Sequence, residues 1–134
     1  MNAIKDAIKS GKTVVGTTVT PNVDVSILAD AGYDFLLFDT QHSAWEIKQL
    51  QPSIQTMRGK QAAPLVRVAA NQAYQICFAL DAGARGIVVP MVNTKRRRRP
   101  PCAPAAIIRW ATAATLGYAA SGASSRITAI TSIP

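Results

Sequence analysis

Short apolar runs and helical periodicities alternate along the first two thirds of the chain. Lys12 to Thr20, rich in Val and Thr after Gly11, predicts a first strand. Pro21 and Asn22 end it, and Val23, Ile27, Leu28 and Ala31 follow at helical spacing, with Gly32 placed to stop the helix. Phe35 to Phe38 is an unbroken apolar run that delivers Asp39, Gln41 and the chain's single histidine, His42, at its end. Unbroken rather than alternating hydrophobicity is the pattern of a strand covered on both faces, as in parallel sheets. Ser43 precedes Trp45, Ile47, Leu50, Ile54 and Met57, with Glu46 three residues beyond it as in a capping box. Arg58, Gly59 and Lys60 close that helix. Pro64 to Val68 predicts a third strand, and Asn71 starts a helix through Ile76, Phe78, Ala79 and Leu80 that ends near Gly83. Gly86 to Val92 predicts a fourth strand.

Strands alternating with helices over short connections define an α/β architecture with a parallel sheet and right-handed crossovers. Doubly wound sheets and (β/α)8 barrels both begin this way. No Gly-x-Gly-x-x-Gly follows the first strand, which removes the usual support for a dinucleotide fold. The expectation is about four β-α units, the N-terminal part of a (β/α)8 TIM barrel, over residues 1–95.

The pattern breaks after Asn93 and Thr94. Residues 96–134 are rich in Ala, Thr, Ser and Gly, open with Arg96–Arg99, Pro100 and Pro101, and hold no amphipathic period. They read as an irregular basic tail. Charge divides at the same place: residues 1–94 carry eight Lys and Arg against seven Asp and Glu, whereas residues 95–134 carry seven Lys and Arg and no acid. The net charge of +8 therefore belongs almost wholly to the tail. Arg96–Arg99 offers phosphate contacts, but lacks a recognisable fold or interleaved aromatics, so a solvated surface is the reading preferred over nucleic-acid binding. Ala103 to Ala120 is apolar, but Arg109 interrupts it and its residues are small, so no membrane span is expected. Met1 to Lys9 lacks a signal-peptide core and predicts a short amphipathic helix. Cys77 and Cys102 show no metal-ligand spacing or disulfide framework, and Cys77 reads as a small buried hydrophobe. A cytoplasmic location is the matching expectation.

Chemistry concentrates at strand ends, where barrels place their sites. His42 is a general base if a carboxylate fixes its tautomer, with Asp39 and Asp81 as candidate partners; it is equally a satisfied loop histidine. Arg67 is a cation within an apolar strand, and burial of a guanidinium demands an anion. Arg67 therefore either reaches solvent, has a salt-bridge partner inside the barrel, or holds a bound carboxylate or enolate. Trp45 reads as core packing on its helix.

Gly32-Tyr33-Asp34, Phe38-Asp39-Thr40-Gln41-His42, Val66-Arg67-Val68, Leu80-Asp81-Ala82-Gly83-Ala84 and Ile87 to Thr94 together resemble the HpcH/HpaI family of class II aldolases. The resemblance covers about residues 10–95. It implies a barrel that cleaves or forms carbon–carbon bonds between pyruvate-like donors and aldehydes, using a divalent metal, Mg²⁺ or Mn²⁺, to stabilise the enolate. It also implies a homo-oligomer for the family, which here would require surfaces this chain lacks. By position, His42 resembles the family's base, paired with Asp81, and Arg67 resembles the arginine that holds the keto-acid. Gln41 stands where many members have Glu. The family's Glu and Asp metal ligands lie on later strands and have no counterpart here, because Asp81 is the last acid in the chain. Little or no turnover is expected of this polypeptide, and half a barrel leaves open sheet edges. The alternative reading is a non-enzymatic fragment whose basic tail binds polyanions.

The resemblance also suggests an origin for the tail. In the family, Asn-Thr-Lys is commonly followed by Glu-Glu-Ala. Reading from about Arg96 one base earlier permits Glu-Glu-Ala, and then a segment resembling the family's Arg-Tyr-Pro-Pro-x-Gly-x-Arg-Gly. One match is forced: Trp110 is TGG and Ala111 begins GC, so the shifted codon encodes glycine. A frameshifted, low-complexity tail is the expectation, set against a natural one.

Overall fold

The computed structural model describes residues 3–91, together with the backbone of residues 107–109 and 127–130. Four strands, β1 (Val14–Val19), β2 (Phe35–Asp39), β3 (Ala63–Arg67) and β4 (Gly86–Val89), pair in parallel in chain order. The helices are α1 (Ala3–Lys9), α2 (Val25–Leu28), α3 (Ile47–Gln55) and α4 (Ala73–Asp81). The alternation and the parallel sheet are those the sequence predicts.

Strand periodicity sorts the core into two layers. Leu36, Phe38, Val66, Val68, Ile87 and Val89 pack with Leu50, Ile54, Ile76 and Ala79 of α3 and α4. On the other face Phe35, Leu37, Leu65 and Val88 form a second cluster with Ile4 of α1. Every residue of β2 is buried, the condition that requires an unbroken apolar run. Gly16 lies opposite Phe35, and a Cβ there would collide with the Phe35 carbonyl and stand 2.5 Å from its ring, so the close approach of β1 to β2 demands glycine. Asp34 fastens the same strands: its Oδ2 accepts the Val15 N–H at 2.8 Å while its own N–H donates to the Val15 carbonyl at 2.8 Å.

Helix ends follow the glycines. Gly83 has φ +105°, and the Ala84 N–H reaches Ala79 O (3.1 Å) while Gly83 N–H reaches Leu80 O (2.9 Å), the paired bonds of a Schellman motif closing α4. Helix starts differ from the sequence reading. Ser43 does not cap α3; its hydroxyl donates to the Asp39 carbonyl, and Glu46 is the cap, its N–H bonded to Gln49 Oε1 at 3.0 Å. The Ser-x-x-Glu pattern was satisfied locally, but the strand end claimed the serine. Trp45 is core as expected, yet sits in the loop before α3, with Nε1 donating to Val19 O at 2.7 Å and its ring 5.1 Å from Phe38.

Helix α2 is a single turn capped by Asp24, whose Oδ1 accepts the N–H groups of Ser26 (2.9 Å) and Ile27 (3.2 Å). Its inward stripe is Val25, Leu28 and Ala29, while Ile27 is 70% exposed. On α4, Ile76 and Ala79 face inward, whereas Phe78 is 53% exposed and stacks edge-on with Tyr74. Both differences have one cause: apolar residues outnumber the positions a helix can turn toward a sheet. Cys77 is half-buried, which corrects its reading as a small buried hydrophobe.

Most of the tail, including Arg96–Arg99 and Cys102, lies outside the described residues. Two segments within it are strands that the irregular reading did not anticipate. β5 (Ile107–Arg109) pairs in parallel with β4, and β6 (Ile127–Ile130) pairs antiparallel with β1, giving the order β5-β4-β3-β2-β1-β6. An open parallel sheet presents unpaired N–H and C=O groups at both edges, and isoleucine-rich segments satisfy them. Among the described residues no helix is long and apolar enough to cross a membrane.

Candidate functional site

Register brings the site together. Asp39 is the last residue of β2, Arg67 the last of β3, and the two are direct partners across the parallel pair. Both continue the strand parity of Phe35, Leu37 and Leu65, so they occupy the face opposite α3 and α4, at the carboxyl ends of the strands. A largely buried cation and a buried anion are thereby forced onto adjacent positions.

They meet in a two-pronged ion pair. Arg67 Nε donates to Asp39 Oδ1 at 2.8 Å and Arg67 Nη2 to Oδ2 at 2.5 Å. Asp39 is 2% exposed and the Arg67 side chain 15%. Oδ1 also accepts the backbone N–H groups of Gln41 (3.0 Å) and His42 (3.2 Å). Burial alone would raise the Asp39 carboxyl. The Arg67 bond and charge and the two amide bonds outweigh it and hold the group below the usual carboxylate range.

The loop beyond β2 is wound tightly around these atoms. Thr40 donates through both N–H (2.9 Å) and Oγ1 (2.7 Å) to the Arg67 carbonyl, and Ser43 Oγ donates to the Asp39 carbonyl. His42 is exposed at the tip of this loop, tied by its backbone rather than by its ring. The structure thus joins Asp39, Arg67 and the His42 loop. It also answers the question left open for Arg67: its anion within the chain is Asp39, with Nη1 left without a partner among the described residues.

Asp81 is not brought to this place within one chain. Helix α4 runs from the carboxyl end of β3 back toward the amino end of β4, and Asp81 is its last residue, exposed beside the Gly83 turn. A nine-residue helix spans roughly 13 Å at 1.5 Å per residue, so the reversal of direction separates Asp81 from His42. The carboxylate that organises the His42 loop is Asp39. The sequence reading named Asp39 as a candidate partner; what it lacked was the cross-strand register that pairs Asp39 with Arg67.

A groove of about 590 Å³ opens at the opposite end of the strands, lined by Arg58, Lys60 and Arg85 among others. A smaller cavity of about 100 Å³ lies between α3, α4 and the sheet, reaching Thr40 and Gln75. Among the described residues no three of His, Cys, Asp and Glu converge as a metal site. Among the described residues, both Asp39 oxygens are already committed to Arg67 and backbone amides, so this carboxylate is not a free metal ligand.

The sequence matches the family described as HpcH/HpaI aldolase/citrate lyase over residues 20–99, and the chain belongs to that family. It is 30% identical over 96 residues to the hydroxypyruvate/pyruvate aldolase of Roseobacter denitrificans, covering 70% of this chain and 38% of that protein. It is 33% identical over 100 residues to the 4-hydroxy-2-oxo-heptane-1,7-dioate aldolase of Klebsiella pneumoniae, covering 73% and 38%. Among solved structures, an HpcH/HpaI aldolase/citrate lyase family protein from Burkholderia cenocepacia aligns with TM-score 0.66 at 27% identity, over 72% of this chain and 40% of that one. The citrate synthase SbnG aligns with TM-score 0.62 at 33% identity, over 72% and 40%. The four β-α units are thus the partial barrel of this family, and the chain spans about 40% of the length of the relatives it matches.

Proposed function

We propose that this chain carries the keto-acid-binding portion of a class II aldolase that cleaves or forms carbon–carbon bonds of 4-hydroxy-2-oxo acids, giving pyruvate or a close relative and an aldehyde. The observation that carries the reading is the Asp39–Arg67 pair at adjacent strand ends, with His42 on the loop they anchor. A guanidinium whose Nη1 has no partner among the described residues binds the oxygens of a keto-acid, and an imidazole on the adjoining loop exchanges protons with it. The names of the aldolase relatives support the substrate class. An Asp81 contribution to His42 would have to come between two copies, because within one copy they lie at opposite ends of the sheet. The Mg²⁺ or Mn²⁺ ligands would be supplied by sequence this chain does not encode, and the chain alone is weak or inactive.

We propose further that residues 96–134 are an out-of-frame reading, separate from the aldolase portion in residues 1–95. The family match stops at residue 99, where the arginine run lies. Resequencing the gene across codons 90–115 tests this: a one-base correction near codon 95 should open a frame through Glu-Glu-Ala. An uninterrupted confirmed tail with no alternative frame would refute it. The frame-restored protein should release pyruvate from a 4-hydroxy-2-oxo acid, read by coupled reduction of pyruvate, and lose that activity in His42→Ala and Arg67→Ala. Activity unaffected by either substitution would refute the aldolase assignment of these residues. Salt-sensitive polyanion binding by the 134-residue chain, abolished by replacing Arg96–Arg99 with Ala, would favour the binding alternative.

A further inference from the structure

Asp39 stands on a strand face otherwise occupied by Phe35 and Leu37, with its carboxylate buried. A polar pair in such a place confers little net stability, because an apolar pair of similar volume would pack as well. Its four accepted bonds are divided in an informative way. Two orient Arg67, through Nε and Nη2, and two fix the amides of the loop that carries His42. One carboxylate therefore sets the attitude of both groups that the proposed reaction needs. It engages the Nε and Nη2 edge of the guanidinium, and Nη1 has no partner among the described residues.

We propose that Asp39 is the positioning residue of this site: it locks Arg67 in one orientation and couples that orientation to the His42 loop. The inference rests on the keto-acid reading above for the identity of the ligand, and on the hydrogen bonds alone for the lock. A free arginine loses rotamer entropy on binding an anion. An arginine already held on two nitrogens has lost it beforehand, so its affinity for a keto-acid is raised by preorganisation. The coupling also means that protonating or neutralising Asp39 disturbs Arg67 and the loop amides together.

The test uses the full chain, with pyruvate as probe, and reads the lock and the ligand separately. In the wild-type protein, the Arg67 Nε–H resonance should exchange slowly with water. It should shift on acidification with the same midpoint as the Gln41 and His42 amides, since all three donate to Oδ1. Asp39→Asn should weaken pyruvate binding about tenfold while the amide spectrum of the strands stays unchanged. Arg67 Nε–H exchange as fast as that of exposed Arg58, or separate midpoints for the three donors, would overturn the lock. A folded Asp39→Asn that binds pyruvate as the wild type does would overturn the positioning role. If Asp39→Asn does not fold, the wild-type exchange and titration still decide the lock. Failure of the wild-type chain to bind pyruvate in a manner abolished by Arg67→Ala would overturn the keto-acid reading and the substrate half of the proposal, leaving the resonance data to judge the lock.

Discussion

Removing Arg67 tests whether the buried pair behaves as its geometry requires. Arg67→Ala deletes two charge-assisted bonds to a carboxylate that is 2% exposed. Breaking a fully buried ion pair from one side costs about 3–5 kcal/mol, because the remaining charge is left uncompensated. Here Oδ1 keeps the Gln41 and His42 amides, and the arginine side chain is itself 15% exposed, so the loss should lie near ~2–4 kcal/mol. The pH dependence is more diagnostic than the magnitude. In the wild type the folded-state pKa of Asp39 is depressed, so its contribution is present above the unfolded carboxylate pKa and lost as pH falls through the folded value. In Arg67→Ala, burial acts with less opposition and raises the carboxyl, so protonation relieves the strain of an unpaired charge. The penalty should therefore shrink on acidification. Urea unfolding followed by tryptophan fluorescence at pH 7 and near pH 3 reads both quantities. A penalty below about 1 kcal/mol at pH 7, or one equal at the two pH values, would refute this account of the pair.

Other substitutions probe the frame that holds the site. Trp45→Phe keeps the ring against Phe38 but leaves the Val19 carbonyl without its 2.7 Å donor, and should cost about 1–3 kcal/mol in the same unfolding assay. Gly83→Ala forces a side chain to φ +105° with its Cβ 3.2 Å from Ile54 Cγ2; a loss of about 1–2 kcal/mol and early fraying of α4 by amide exchange are expected. Asp24→Ala removes the acceptor of two amides at the start of α2 and should cost about 0.5–2 kcal/mol, seen as faster exchange at Ser26 and Ile27.

The order and type of the elements were legible because each is written in local, periodic signals. An unbroken apolar run marked Phe35–Phe38, a run interrupted only by Arg67 marked Leu65–Val68, and Gly32, Gly59 and Gly83 marked where helices stop, all three with positive φ. The placement of Asp39 and His42 at a strand end also followed from the chain alone, since a polar residue ending a buried run must stand at its edge, whereas Arg67 read as lying within its strand and the structure ends β3 there. Local signals failed where several residues could satisfy the same rule. Ser43 and Glu46 both suited a helix cap, and only the proximity of the Asp39 carbonyl settled which one served. Val23 and Ile27 matched a helical period as well as Val25 and Ala29 did, and only the sheet decided which side was inside.

What the sequence by itself determined was the succession of β-α units and the stock of charged groups at their ends. The tertiary structure decided which of those groups meet. Register aligned Asp39 with Arg67 across two strands separated by a whole helix, and the reversed course of α4 carried Asp81 to the far end of the sheet. Periodicity acts over a few residues, whereas register and helix direction are fixed by packing between segments distant in the chain. The buried carboxylate at these strand ends is consequently one whose partner no local pattern could name.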